Sequence, residues 1–119
     1  MNKMAEFVLM CLHGVTNTHL LHLKSRSLSE HQALGEFYPA LEELVDSLAE
    51  SMQGKYMSLM EYPDTYIAPQ DTGLEELEAL SEYVQFSRGE LPQDSEIQNQ
   101  LDEIQSLINS TIYKLNFLR

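Results

Sequence analysis

The sequence predicts an all-α fold: a four-helix bundle in one domain, residues 1–119, with a long crossover between helices two and three. Three observations carry this reading. Apolar residues recur three and four apart along four separate segments, as they do in helices that each bury one face. Proline and glycine number only 4 and 5, so long uninterrupted helices are allowed. The links within the first and second pair of segments are short, whereas the link between the pairs is long.

The first helix is expected from about Asn2 to Leu23, with Phe7, Val8, Cys11, Leu12, Val15, Thr18, His19 and His22 on one broad face. Two serines in Lys24–Leu28 then break the pattern. The second helix is expected to open at Ser29, a good N-cap followed by Gln32 three residues on. Its stripe of Leu34, Phe37, Leu41, Leu44, Leu48 and Met52 keeps phase across Pro39. A proline inside a helix removes one hydrogen bond and costs roughly 3 kcal/mol, so a kink is expected at Tyr38, with Gly54 as the stop.

Residues 55–72 show no clean period, and Pro63, Pro69, Asp71 and Gly73 mark turns there. Tyr56, Met57, Leu59, Met60, Tyr62 and Tyr66 suggest that this stretch packs down on the bundle. The third helix is expected from Thr72 to Ser87, capped by Thr72 with Glu75 completing the box, and with Leu74, Leu77, Leu80, Tyr83 and Val84 inward. The fourth opens at Asp94 or Ser95 and runs to about Leu118 on a stripe of Ile97, Leu101, Ile104, Ile108, Thr111 and Leu115.

Short links make antiparallel neighbours of helices one and two and of helices three and four. A helix of about 20 residues is about 30 Å long, and an extended link of about 18 residues reaches up to about 60 Å. The middle link can therefore run the length of the bundle and start helix three beside the start of helix two. Two hairpins joined by one long crossover is the ferritin-like arrangement.

Composition excludes several functions. The net charge is −12, from 19 acidic and 7 basic residues. Such a surface repels a phosphate backbone, and only Lys24 and Arg26 lie close together, so no direct DNA binding is expected. The acidity also serves solubility, and Glu42, Glu43, Glu75, Glu76 and Glu78 are read as a solvated face. The single cysteine, Cys11, excludes an intrachain disulfide and reads as a buried small hydrophobe. The apolar run Phe7–Leu12 is too short to span a membrane and lacks a leader's features. A cytoplasmic protein is expected.

All 4 histidines, His13, His19, His22 and His31, fall in the first 31 residues. His19 and His22 share a helix face, and the hairpin brings His31 close to them. Glu36, Glu42, Asp46 and Glu50 follow on helix two, with Asp46 and Glu50 four apart and projecting together. Histidine with carboxylate suits iron, zinc or manganese. Asp46 and Glu50 lie about 22 to 28 Å from His31 along the helix, which one chain cannot easily close. A two-fold dimer with antiparallel second helices can. The candidate metal ligands are thus His19, His22, His31, Glu36, Asp46 and Glu50. The competing structural reading is that the histidines only pack an interface.

The stretch His22–Glu50 resembles the Dps-like mini-ferritins. In that family a histidine ends helix one, a second opens helix two with an acid four residues later, and an Asp-x-x-x-Glu pair follows. His31, Asp46 and Glu50 keep this spacing, and His22 or His19 matches the first histidine. Gly35 stands where the family has its acid, with Glu36 next door and turned by about 100 degrees, a departure that bears on a complete oxidation site. The text from His22 through Glu30-His31-x-Ala33-Leu34-Gly35-Glu36-Phe37-Tyr38 is also similar to small bacteriophage proteins thought to be ferritin-like. The resemblance implies iron(II) oxidation or sequestration at a site between two subunits, a homodimer or larger homo-oligomer, and host cytoplasm for a phage product. Helices three and four contain no histidine, which excludes a di-iron site built from a Glu-x-x-His on each of two helices. The alternative function is a non-enzymatic bundle that binds a small ligand or a host protein without metal. A third is an assembly helper.

Overall fold

The computed structural model describes residues 2–119. Four α-helices form the bundle: α1 (Asn2–Lys24), α2 (Leu28–Tyr56), α3 (Gly73–Ser87) and α4 (Ser95–Phe117), with a single 3-10 turn at Arg88–Glu90. The molecule measures 44 × 29 × 21 Å. None of the helices described is long and apolar enough to cross a membrane.

α1 and α4 each pack against both α2 and α3, so they face one another across the core diagonal. Contacts at the ends fix the directions. Lys3 Nζ pairs with Glu90 at 3.0 Å, placing the start of α1 beside the end of α3. Lys114 Nζ reaches Glu36 at 3.0 Å, placing the end of α4 beside the early part of α2. Gly73, the first residue of α3, lies against Leu34, and a Cβ there would come within 2.9 Å of Leu34 Cδ1. α3 therefore starts where α2 starts, and the two run parallel. Only a crossover spanning the bundle allows this, so the connectivity is hairpin, long crossover, hairpin, as expected of a ferritin-like bundle.

The core follows the stripes, except that in α2 Val45 rather than Leu44 is fully buried, Leu44 lying at its margin. Leu34, Phe37, Leu41, Val45, Leu48 and Met52 of α2 meet Ile97, Leu101, Ile104 and Ile108 of α4, all essentially inaccessible. Each such side chain contributes roughly 1.5–3 kcal/mol relative to exposure. Phe7 of α1 stacks on Tyr83 of α3, ring centroids 5.7 Å apart, and burial pushes the Tyr83 phenol up to about 12.

Several local expectations are corrected. Ser27, not Ser29, caps α2: its hydroxyl accepts from the Glu30 amide at 3.3 Å. α2 continues through Pro39, as its in-phase stripe implies, but runs past Gly54, the expected stop, to Tyr56. It stops at Met57, which takes a left-handed conformation (φ 50°, ψ 47°) with its amide on the Gln53 carbonyl. Thr72 caps α3 as expected, accepting from the Glu75 amide at 3.1 Å. Asp94 begins α4 without a side-chain cap bond and instead accepts from the Tyr56 hydroxyl at 2.5 Å.

The crossover packs down less than its tyrosines and methionines suggest. Met60 is buried, but Met57 and Leu59 are 87% and 82% exposed. Two points pin it. Gln53 Oε1 accepts from the Met60 amide at 3.0 Å. Asn17 of α1 donates to the Ile67 carbonyl at 3.0 Å and accepts from the Tyr66 hydroxyl at 2.6 Å. This cover widens the buried face of α1 to include His13 and Asn17, whereas His19 is exposed.

Candidate functional site

The three-residue link between α1 and α2 brings the last turn of one helix against the first turn of the other. His22 and His31 meet there. Their rings stack with centroids 3.8 Å apart and planes 16° from parallel. The His22 Nδ1–H donates to the His31 carbonyl at 2.6 Å, and the His31 Nδ1–H donates to the His22 carbonyl at 2.8 Å. A carbonyl can only accept, so both rings carry a proton on Nδ1. In the neutral rings that leaves each Nε2 with a free lone pair.

His19 joins the cluster from one turn earlier. Its ring lies 6.2 Å from that of His22 and stacks flat on Tyr38 of α2 at 4.0 Å and 9°. The expected convergence of three imidazoles at one end of the bundle is present. Leu20, Leu23 and Leu28 surround this end and are 41%, 65% and 71% exposed.

Gly35 is tied to the same cluster. A Cβ there would lie 2.8 Å from His22 Cε1 and 3.1 Å from its Nδ1. The His22 ring thus occupies the space that a side chain at position 35 would need, and an acid cannot stand there with the clasp intact.

The carboxylates are not brought to the imidazoles within one chain. Glu36 is exposed and paired with Lys114. Asp46 and Glu50 lie on the exposed face of α2 with Glu42 and Glu43. Among the described residues, no group of three or more His, Cys, Asp or Glu side chains is placed to hold a metal ion.

One of the acids read as solvated is not. Glu76 is only 8% exposed, and its Oε1 accepts from the Gln70 amide at 2.9 Å. It and the buried His13 line a cavity under the crossover. Sequence reasoning missed both, because their burial depends on the path of the crossover. Cys11 is fully buried, and burial pushes its thiol up to about 12, which removes it as a nucleophile.

No curated protein and no solved structure matches the chain. A family model matches residues 22–115, a span that opens on the first histidine of the clasp and closes on the last core residue of α4. The chain belongs to the family described as a family of unknown function (DUF5856).

Proposed function

We propose that this protein is a metal-binding mini-ferritin of the Dps-like kind, oxidising or sequestering iron(II) at a His/carboxylate site shared between two subunits. The observation that carries the reading is the reciprocal Nδ1–H···O=C clasp of His22 and His31. Metal-binding histidines commonly donate their second ring N–H to a backbone carbonyl, which fixes the tautomer and the ring and leaves Nε2 for the metal.

Within one chain the donor set is imidazole only. Asp46 and Glu50 of the partner subunit supply carboxylates if two α2 helices pair antiparallel. One feature supports that pairing: the exposed leucines Leu20, Leu23 and Leu28 beside the clasp offer apolar area to a second copy. The acidic face of α2, with Glu42, Glu43, Asp46 and Glu50, works against it, so the pairing requires imidazoles or a cation between the two faces. His22 and His31 would hold the substrate ion through Nε2, with His19 and Glu36 in support. Each iron(II) would give up one electron, taken by oxygen or peroxide. Zinc or manganese fits the same donors.

Metal content of the purified protein and an iron(II) oxidation assay test this reading. Wild-type protein is expected to bind iron or zinc, and H31A to bind at least tenfold more weakly. Wild-type protein that takes up no iron, zinc or manganese overturns it.

A further inference from the structure

A second site lies on the opposite flank of α1. The crossover, α1 and α3 enclose a cavity of about 100 Å³ whose walls include Met10, Ile67, Ala68 and Leu80, with Glu76, His13 and Asn17 as polar members. Its wall is mainly apolar, yet it holds a carboxylate that is 92% withdrawn from solvent, since Glu76 is 8% exposed.

That carboxylate lacks a cation. No lysine or arginine lines the cavity, and none of the ion pairs among the described residues includes Glu76. The first turn of α3 and the Gln70 amide offer only partial positive charge. Buried carboxylates are ordinarily paired. Beside it, the Nδ1 of the buried His13 has no hydrogen-bond partner. Asn17 is already committed through both ends of its amide to Ile67 and Tyr66. The second oxygen of Glu76 is therefore left as an acceptor, and the His13 Nδ1 is a second acceptor in the tautomer that carries its proton on Nε2. A ligand that satisfies both must donate, carry positive charge and own a short apolar body.

We infer that this cavity binds a small primary alkylammonium ion. An ammonium group has three donors and no acceptor, which matches what Glu76 and His13 leave open. A bare divalent ion fits poorly, because calcium or magnesium takes six or more oxygen ligands. An apolar cavity of about 150 Å³ admits benzene, so the smaller volume here suits about four heavy atoms, the size of propylammonium. This site is independent of the histidine clasp and stands whether or not the clasp binds metal.

The test is a titration of the full chain with n-propylammonium chloride, followed by amide NMR, with propan-1-ol as the uncharged probe and E76Q as the variant. A glutamine at position 76 keeps an oxygen for the Gln70 amide while removing the charge. The wild type is expected to show saturable shifts confined to α1, α3 and the crossover around His13 and Glu76, with propan-1-ol at least tenfold weaker and the preference lost in E76Q. A79L, which adds bulk at an exposed wall residue, is expected to abolish saturation and covers the case in which E76Q fails to fold. Equal response to the two probes, equal titration of E76Q and wild type, or shifts spread over the acidic surface would each overturn the inference.

Discussion

The ring of His22 lies over the backbone of Gly35, so that a Cβ on Gly35 would stand 2.8 Å from His22 Cε1. The glycine and the clasp are therefore one structural unit, since the ring that occupies the space is held in place by two reciprocal hydrogen bonds.

Substituting Gly35 by alanine sets two effects against each other. The helix gains about 0.5–1 kcal/mol from losing a glycine. Displacing His22 loses hydrogen bonds worth about 0.5–1.5 kcal/mol each. G35A is expected to be neutral or destabilising by up to about 2 kcal/mol. G54A, where nothing lies within 4 Å, is expected to be stabilising by up to about 1 kcal/mol. Urea unfolding of the two variants checks the contrast, and equal stabilisation by both would mean that His22 does not hold its place.

The clasp has a direct spectroscopic signature. Nitrogen-15 shifts of the imidazoles at neutral pH are expected to report the Nδ1–H form for both His22 and His31, and H31A is expected to return His22 to a mixture of forms. An Nε2–H form for either ring in the wild type contradicts the bonding described.

Asn17 fastens the crossover from beneath. N17A removes the donor to Ile67 and the acceptor for Tyr66, and two lost hydrogen bonds predict destabilisation of about 1–3 kcal/mol. Amide exchange is expected to accelerate in residues 58–72 more than in α4. Uniform acceleration over all helices would show that Asn17 supports the bundle rather than the crossover.

The Tyr56–Asp94 contact predicts a weak pH dependence at the opposite end of the bundle. The Tyr56 hydroxyl lowers the Asp94 carboxyl below its ordinary 3.8, with Lys55 contributing. The same carboxylate raises the Tyr56 phenol above its ordinary 10.0. A lowered acid stabilises the fold above its unfolded value and loses that contribution as pH falls through the folded value. A raised phenol stabilises the fold below its unfolded value and loses it as pH rises through the folded one. The contact is thus complete between about pH 4 and 10 and fades on both sides. In Y56F the Asp94 midpoint, followed by carboxyl NMR, is expected to rise toward 3.8, and an unmoved midpoint would show the contact to be absent in solution.

The elements that the sequence discloses are those whose burial is decided locally. The stripes of α2 and α4 name their own partners, and the length of the middle link decides the crossover. The meeting of His22 and His31 follows from hairpin geometry alone. Positions that depend on a distant segment are hidden. Asn17, His13 and Glu76 are buried because the crossover lies over them, and nothing local in their helices marks that. Caps fall between. Ser27 and Ser29 are equally good capping side chains, and the choice of Ser27 follows from where the chain leaves α1. Gly54 has the chemistry of a helix stop, but Met57 takes the left-handed conformation instead. Asp46 and Glu50 stand exposed on α2, apart from the histidines of the same chain.

Anomalous scattering from crystals grown with iron(II) or zinc tests the proposed function most directly. The account predicts a peak about 2.0–2.2 Å from an Nε2 of His22 or His31, completed by Asp46 or Glu50 of the partner subunit. A structure with no peak at the clasp, or with Asp46 and Glu50 standing in solvent away from any second chain, would contradict it.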